Sequence, residues 1–302
     1  MMGILSLPPL QTLIEAGIEV GAVVIPADRA ATLPLPRRVK PPHSAPSDLP
    51  IIASYVSPSI VHLAWAQQIP VWQVGSLADP QTLALLMDLQ PDVIVVACFS
   101  HIFPLTLLQL PRYGCLNLHP SLLPAYRGPL PLFWMARQGE RQAGVTLHFL
   151  DEGLDTGDIV AQTAFAWPDG ISLADLERRC ADEGAQLLLV AMQQLAQGGE
   201  LPRRPQPSEG RSYFSWPSVE DFHIPTDWEA QRAFNFLRLA SDWPLMIEVT
   251  RRGRGNEEVR RHFFTVRTAI SYDAQQKLGQ SYLIQNDDLW IQFNPGVLRA
   301  KI

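Results

Sequence analysis

Short apolar runs alternate with segments of helical period over the first 200 residues. Residues 19–25, 71–74, 91–97, 114–118, 143–150 and 159–165 are apolar enough, and short enough, to read as strands. Between them, residues 10–16, 60–66, 80–89, 104–110 and 129–139 read as helices. Leu83, Leu86 and Met87 share one side of the third, and Leu130, Phe133 and Trp134 one side of the fifth. A longer amphipathic helix follows Ser172, with Asp175 three residues on as a capping-box signal. It carries Leu176, Cys180, Leu187, Leu188, Ala191 and Leu195 at helical spacing and ends at Gly198 and Gly199. Residues 91–97, Pro-Asp-Val-Ile-Val-Val-Ala, form the near-continuous apolar run of a strand covered on both faces. Strands alternating with helices predict an α/β fold with a doubly wound, mostly parallel sheet.

Proline breaks this pattern twice. Residues 26–50 hold Pro26, Pro34, Pro36, Pro41, Pro42, Pro46 and Pro50 and read as a long irregular loop. Residues 201–212, with Pro202, Pro205, Pro207 and Gly210, read as a linker. After it the pattern changes to one helix, 229–239, and short strands at 246–250, 262–268, 280–285 and 289–293. The expected organisation is therefore a catalytic domain over 1–200, a linker over 201–212, and a small β-rich, barrel-like domain over 213–302.

Composition narrows the class. Lys and Arg number 24 against 30 Asp and Glu, a net charge of −6, so the chain lacks the overall basic balance of a nucleic-acid binder. Its one basic cluster is Arg251, Arg252, Arg254, Arg260 and Arg261, interrupted by Glu257 and Glu258. That cluster reads as a solvated hairpin tip or as a phosphate-backbone contact. The three cysteines, Cys98, Cys115 and Cys180, have no metal-ligand spacing, and their odd number and separation argue for a reducing compartment. No apolar stretch approaches the ~18 residues of a membrane span, and the start lacks a signal-peptide pattern. A cytoplasmic enzyme is expected, without a metal and without an obligate protein partner.

The candidate chemistry lies between residues 115 and 158. Asn117 and His119 are two apart, so in a strand they face the same side. Pro120 follows at once and ends regular structure there. Asp155 lies in a turn flanked by Gly153 and Gly157. An amide donor, a titratable ring and a carboxylate suit a reaction that passes through an oxyanion and moves protons. Asp151 and Asp158 compete for the carboxylate role, and spacing favours Asp155. The plainer readings are a core imidazole bonded to a carbonyl for His119 and closure of its own turn for Asp155.

Residues 117–124, Asn-Leu-His-Pro-Ser-Leu-Leu-Pro, with Arg127-Gly128 soon after and Asp-Glu-Gly-Leu-Asp-Thr-Gly-Asp-Ile over 151–159, resemble the signature of the folate-dependent formyltransferases. Most of the chain shares the resemblance, strongest over residues 90–165. It implies that Asn117, His119 and Asp155 are catalytic, and that Ser121, Leu122, Leu123 and Pro124 contact the co-substrate, 10-formyltetrahydrofolate. Asn117 would donate to the formyl oxygen, protonated His119 would stabilise it, and Asp155 would orient the ring and hold a proton-relaying water. The ending, above all residues 224–244, resembles the branch of the family that formylates the α-amine of initiator methionyl-tRNA. A nucleotide-linked amino sugar is the alternative acceptor, and hydrolysis of the folate a third outcome. A folate- or tRNA-binding protein without catalysis is the competing class, against which all three catalytic positions are filled. Arg127 would meet an acceptor phosphate or ribose, or form a surface ion pair. The family has a buried strand ahead of the position of Gly3, where this sequence has only Met1 and Met2. Either the true start lies upstream or the sheet lacks that interior strand; losing it would break ladder hydrogen bonds and uncover apolar faces, so a truncated chain is expected.

Overall fold

The structure, a computed structural model, describes residues 4–27, 34–41, 59–251 and 260–302. Most of the Pro-rich loop and Arg252, Arg254, Glu257 and Glu258 of the basic cluster lie outside the described residues. Two compact units emerge. One comprises Met1–Ala125, Gly144–Thr163 and Glu177–Arg211, the other Tyr126–Ala143, Ala164–Leu176 and Ser212–Ile302.

The first unit begins with helix α1 (Leu7–Glu15), whose early prolines suit a first turn that needs no amide donors. Strand β1 (Val23–Pro26) and the two-residue β2 (Arg37–Arg38) follow, then helix α2 (Ile60–Ala66) and strand β3 (Val71–Val74). Ser59 caps α2 by accepting the His62 N–H at 3.3 Å. Helix α3 (Pro80–Asp88) is capped more tightly, with Asp79 accepting the Thr82 N–H at 2.9 Å and Pro80 in its first turn. Strand β4 (Ile94–Ala97), the short α4 (Leu105–Leu108) and β5 (Cys115–His119) complete this run.

The strands form two sheets. One has the order β1-β3-β2, with β1 parallel to β3. The other has the order β4-β5-β6-β7, where β6 is Gln142–Phe149 and β7 is Ile159–Ala166. In it β4 and β5 are parallel, as expected of the apolar run in β4, but β5 and β6 are antiparallel. The α/β architecture is thus as expected, with a mixed rather than a mostly parallel second sheet. Edge strands β1 and β4 both line a groove of about 450 Å³, to which Val23 and Val24 contribute from one side and Ile94, Val95 and Val96 from the other. Among the described residues the two sheets are not hydrogen-bonded to each other.

Helix α6 (Leu173–Ala196) packs on the second sheet. Gly184 permits the approach: a Cβ there would meet side-chain atoms of Leu118 and Val145 at 3.3 Å. Ser172 accepts the Asp175 N–H at 3.1 Å while its hydroxyl donates to the Asp175 carboxylate, so the expected N-terminal cap forms.

In the second unit, helix α5 (Pro131–Gln138) packs with helix α7 (Ala230–Leu239). Phe133 is fully buried there, its ring 5.2 Å from Phe236, 5.5 Å from Trp243 and 5.9 Å from Phe222. The β-rich part is two open sheets, not a closed barrel. β8 (His223–Pro225), β9 (Met246–Arg251) and β10 (Arg260–Thr265) form one, in the order β10-β9-β8. β11 (Thr268–Asp273), β12 (Tyr282–Gln285), β13 (Asp288–Gln292) and β14 (Val297–Lys301) form the other, in the order β11-β14-β13-β12. Closure would require the edges of both to pair, and β8, only three residues long, offers little edge to pair with. Among the described residues no helix is long and apolar enough to cross a membrane.

Candidate active site

Every group of this site belongs to the first unit. β5 ends at His119, where Pro120 can no longer donate to the ladder. The antiparallel register with β6 sets Asn117 opposite His148 and His119 opposite Thr146. Residues paired across a ladder share a face, so Asn117, His119, Thr146 and His148 all look the same way. His119 is 5% exposed, and Thr146 and His148 are fully buried.

Asp155 reaches this face from the turn between β6 and β7. Its backbone is left-handed, φ +54°, a conformation Asp tolerates better than most residues. Asp151 closes the turn, accepting from the Gly153 N–H at 3.0 Å and the Thr156 hydroxyl at 2.6 Å. The Asp151 carboxylate is thereby engaged within the turn, while that of Asp155 faces the cluster. Gly157 permits the fold-back, since a Cβ there would stand 2.0 Å from the Phe149 carbonyl oxygen. Gln206 clamps the turn from outside, its amide donating to the carbonyls of Asp155 at 2.9 Å and Gly157 at 2.8 Å.

The Asp155 carboxylate oxygen Oδ1 stands 3.5 Å from Asn117 Nδ2, 3.6 Å from His119 Nδ1 and 3.8 Å from His148 Nε2. None of these is a short bond, so the carboxylate is centred among the three groups. Asn117 Nδ2 makes a closer contact, 3.1 Å, with His148 Nε2. Burial pushes the His148 imidazole down to about 4, and the neighbouring His119 adds to the effect. His148 is therefore neutral near pH 7.

The segment Ser121, Leu122, Leu123, Pro124 continues from this face and is held by two side chains. The Thr146 hydroxyl donates to the Ser121 carbonyl at 2.7 Å and accepts the Leu123 N–H at 3.1 Å. Gln162, on β7, donates to the Leu123 carbonyl at 2.8 Å and to Thr146 Oγ1 at 2.9 Å. Ser121 is fully buried and its hydroxyl donates to the Ala125 carbonyl at 2.7 Å. Leu123 is buried, while Leu122 and Pro124 are half-buried and so the more accessible of the four.

The structure therefore brings Asn117, His119 and Asp155 together and sets the 121–124 segment beside them in the chain. From the sequence His148 reads as a structural or solvated histidine, and Thr146, Gln162 and Gln206 carry no signal of their own. Only the register of β6 on β5, which no single-chain spacing encodes, could have marked the first two. Arg127 belongs to the second unit, where its backbone N–H donates to Ser212 and its carbonyl accepts from Phe214. Cys115 and Cys180 are buried thiols pushed up to about 12 by burial, and Cys98 is exposed; all three are free. Among the described residues no cluster of three or more His, Cys, Asp or Glu side chains is placed to hold a metal ion.

The formyl transferase family profile matches residues 19–192. The chain is 37% identical over 239 residues to a methionyl-tRNA formyltransferase of Syntrophus aciditrophicus, covering 79% of this chain and 70% of that one. It is 44% identical over 183 residues to a methionyl-tRNA formyltransferase of a Synechococcus species, covering 59% and 56% respectively. Among solved structures, an N-formyltransferase of Helicobacter canadensis, in complex with folinic acid and dTDP-3-aminofucose, shares the fold. Its TM-score is 0.54 at 18% identity, with 80% of this chain and 82% of that chain covered.

Proposed function

The chain belongs to the formyl transferase family, and on that premise we propose that it transfers a formyl group from 10-formyltetrahydrofolate to the α-amine of initiator methionyl-tRNA. The observation that carries this reading is the convergence of Asn117, His119 and Asp155 at the end of β5. The acceptor follows the relatives named as methionyl-tRNA formyltransferases.

The amine's lone pair attacks the formyl carbon, and the carbonyl electron pair moves onto oxygen. Asn117 donates an N–H to that oxygen, and His119 stabilises it in its protonated form. Asp155 stands 3.6 Å from His119 Nδ1, where it orients the ring. It also holds a water that carries the proton lost by the amine to the folate nitrogen N10. The bond from formyl carbon to N10 then breaks, releasing tetrahydrofolate and the formamide. The 121–124 segment, fixed by Thr146 and Gln162, supplies the apolar wall and backbone groups that a folate ring needs. A nucleotide-linked amino sugar is the second reading, favoured by the net charge of −6, which does not attract a polyanion.

The test is single-turnover transfer from 10-formyltetrahydrofolate to initiator methionyl-tRNA, to nucleotide amino sugars, and to water alone. Transfer to the tRNA that weakens steeply with salt supports the proposed acceptor. Transfer only to a sugar amine, or only to water, replaces it. Asn117→Ala should lower the transfer rate by roughly 10²- to 10³-fold, and an unchanged rate would remove Asn117 from the mechanism.

A further inference from the structure

Building on the formyl-transfer reading, we propose that His148 is a positioning residue. As a neutral imidazole with its proton on Nδ1, it takes one amide N–H of Asn117 and leaves the other for the reacting carbonyl oxygen.

The tautomer follows from what surrounds the ring. His148 Nδ1 lies 2.8 Å from the carbonyl oxygen of Phe149. A carbonyl only accepts, so Nδ1 carries a proton. A second proton on Nε2 would put a cation on a fully buried side chain. Nε2 is therefore a bare acceptor, and it stands 3.1 Å from Asn117 Nδ2.

That acceptor decides which way the Asn117 amide faces. The two ends of an Asn amide are chemically opposite, and only the NH₂ end can meet a lone pair. Were the amide turned over, Oδ1 and the imidazole nitrogen would oppose each other with two lone pairs and no proton between them. The same turn would offer an oxygen, not a donor, to a developing oxyanion. Of the two N–H groups, His148 holds one. The other has only a 3.5 Å contact with Asp155 Oδ1, which a closer acceptor would displace. The contact is built into the ladder, because Asn117 and His148 are directly paired across β5 and β6. His148 thus acts through Asn117 and transfers no proton itself.

The experiment uses the full chain with His148→Phe and His148→Gln, each made also in an Asn117→Ala background. The Gln side chain can bring its carbonyl oxygen to the place of Nε2. His148→Phe should lower the single-turnover rate by roughly 10- to 100-fold, with the KM for 10-formyltetrahydrofolate held within about twofold. His148→Gln should recover most of that rate. In the Asn117→Ala background His148→Phe should cost nothing more, because the group it orients is gone. A further loss in that background overturns the proposal, as does a Gln variant no faster than Phe. Nitrogen NMR of the ¹⁵N-labelled imidazoles gives a readout independent of activity. At pH 7 His148 should show the proton on Nδ1, and a proton on Nε2 overturns the positioning role whether or not the enzyme turns over. If the expected tautomer is present but the wild type transfers to no acceptor, the reaction reading fails and the Asn117–His148 contact stands.

Discussion

Two buried regions of this molecule are built from opposite materials. At the ends of β5 and β6, His119, Ser121, Thr146 and His148 are all buried, and the polar side-chain atoms of Ser121, Thr146 and His148 are matched to other side chains or to backbone. Around Phe133 the second unit buries rings against rings: Trp134, Phe222, Phe236 and Trp243 all lie within 6 Å, centroid to centroid. Apolar burial is non-directional and scales with area, so the aromatic cluster stabilises without specifying one orientation for any group. Buried hydrogen bonds contribute little net stability each but cost heavily when left unmade, so the polar cluster specifies orientation more than it stabilises. If that contrast holds, damage to the first should appear in unfolding, and damage to the second in kinetics, pH dependence and chemical shift.

The largest effect is expected in the aromatic cluster. Phe133→Ala removes a ring whose neighbours stand on four sides, and should destabilise the second unit by about 3–5 kcal/mol. Trp134 and Trp243 pack on Phe133, so tryptophan fluorescence during denaturant unfolding reports the change directly. A loss below about 1 kcal/mol would mean that the cluster collapses onto the space, and that its packing is less specific than the ring geometry implies.

The two regions also differed in how far the sequence disclosed them. Asn117 and His119 stand out because a same-face amide and imidazole before a proline coincide with the formyltransferase signature over residues 117–124. His148 does not, because a lone histidine in Val-Thr-Leu-His-Phe reads as a core side chain until the register sets it opposite Asn117. The Phe133 cluster was half visible. Phe133 and Trp134 are buried as the pattern predicts, but Leu130 stands outside the helix at its N-cap, and Leu132, Met135 and Ala136 are buried as well; the partners on α7 lie about a hundred residues later, and chain order groups α5 with the wrong neighbours. Most predicted helices and strands of the first 200 residues formed near their expected places. Strands β8, β11 and β14 were missed, since β8 is three residues long and the others follow turns that blur their alternation. Sheet closure was over-read for a related reason: strand spacing suggests a barrel, but which edges meet is a tertiary matter.

Acid should separate the regions next. The ordinary histidine value is 6.5 and that of His148 in the fold is about 4. Above pH 6.5 the ring is neutral in folded and unfolded chains alike, and its contribution is fully present. As pH falls from 6.5 to 4 the unfolded chain takes up a proton that the folded one refuses, so stability falls with pH, by up to about 3 kcal/mol. Below pH 4 the folded state protonates too and this loss stops growing. Urea unfolding at pH 7 and pH 5 should show a drop of about 2 kcal/mol from this group, and His148→Gln should lack that part of it. An equal drop in the variant would assign the acid sensitivity to other groups.

The smallest effect is the most informative about division of labour within the polar region. Thr146 sits on the same ladder, directly opposite His119, yet its hydroxyl serves the 121–124 segment and not the reacting face. Thr146→Val keeps the shape and deletes the oxygen. It would leave the Leu123 N–H and the Ser121 carbonyl without this partner, and loosen the amide of Gln162, which would still reach the Leu123 carbonyl. The cost in stability should be roughly 1–2 kcal/mol. If that segment contacts the folate, its disorder should raise the KM for 10-formyltetrahydrofolate several-fold. The rate at saturation should barely change, because Asn117, His119 and the His148 contact are carried by β5 and β6 themselves. The reverse split, a lower rate with an unchanged KM, would place Thr146 with the reacting groups. The polar region would then be a single network in which orientation of the segment and orientation of the amide cannot be lost separately.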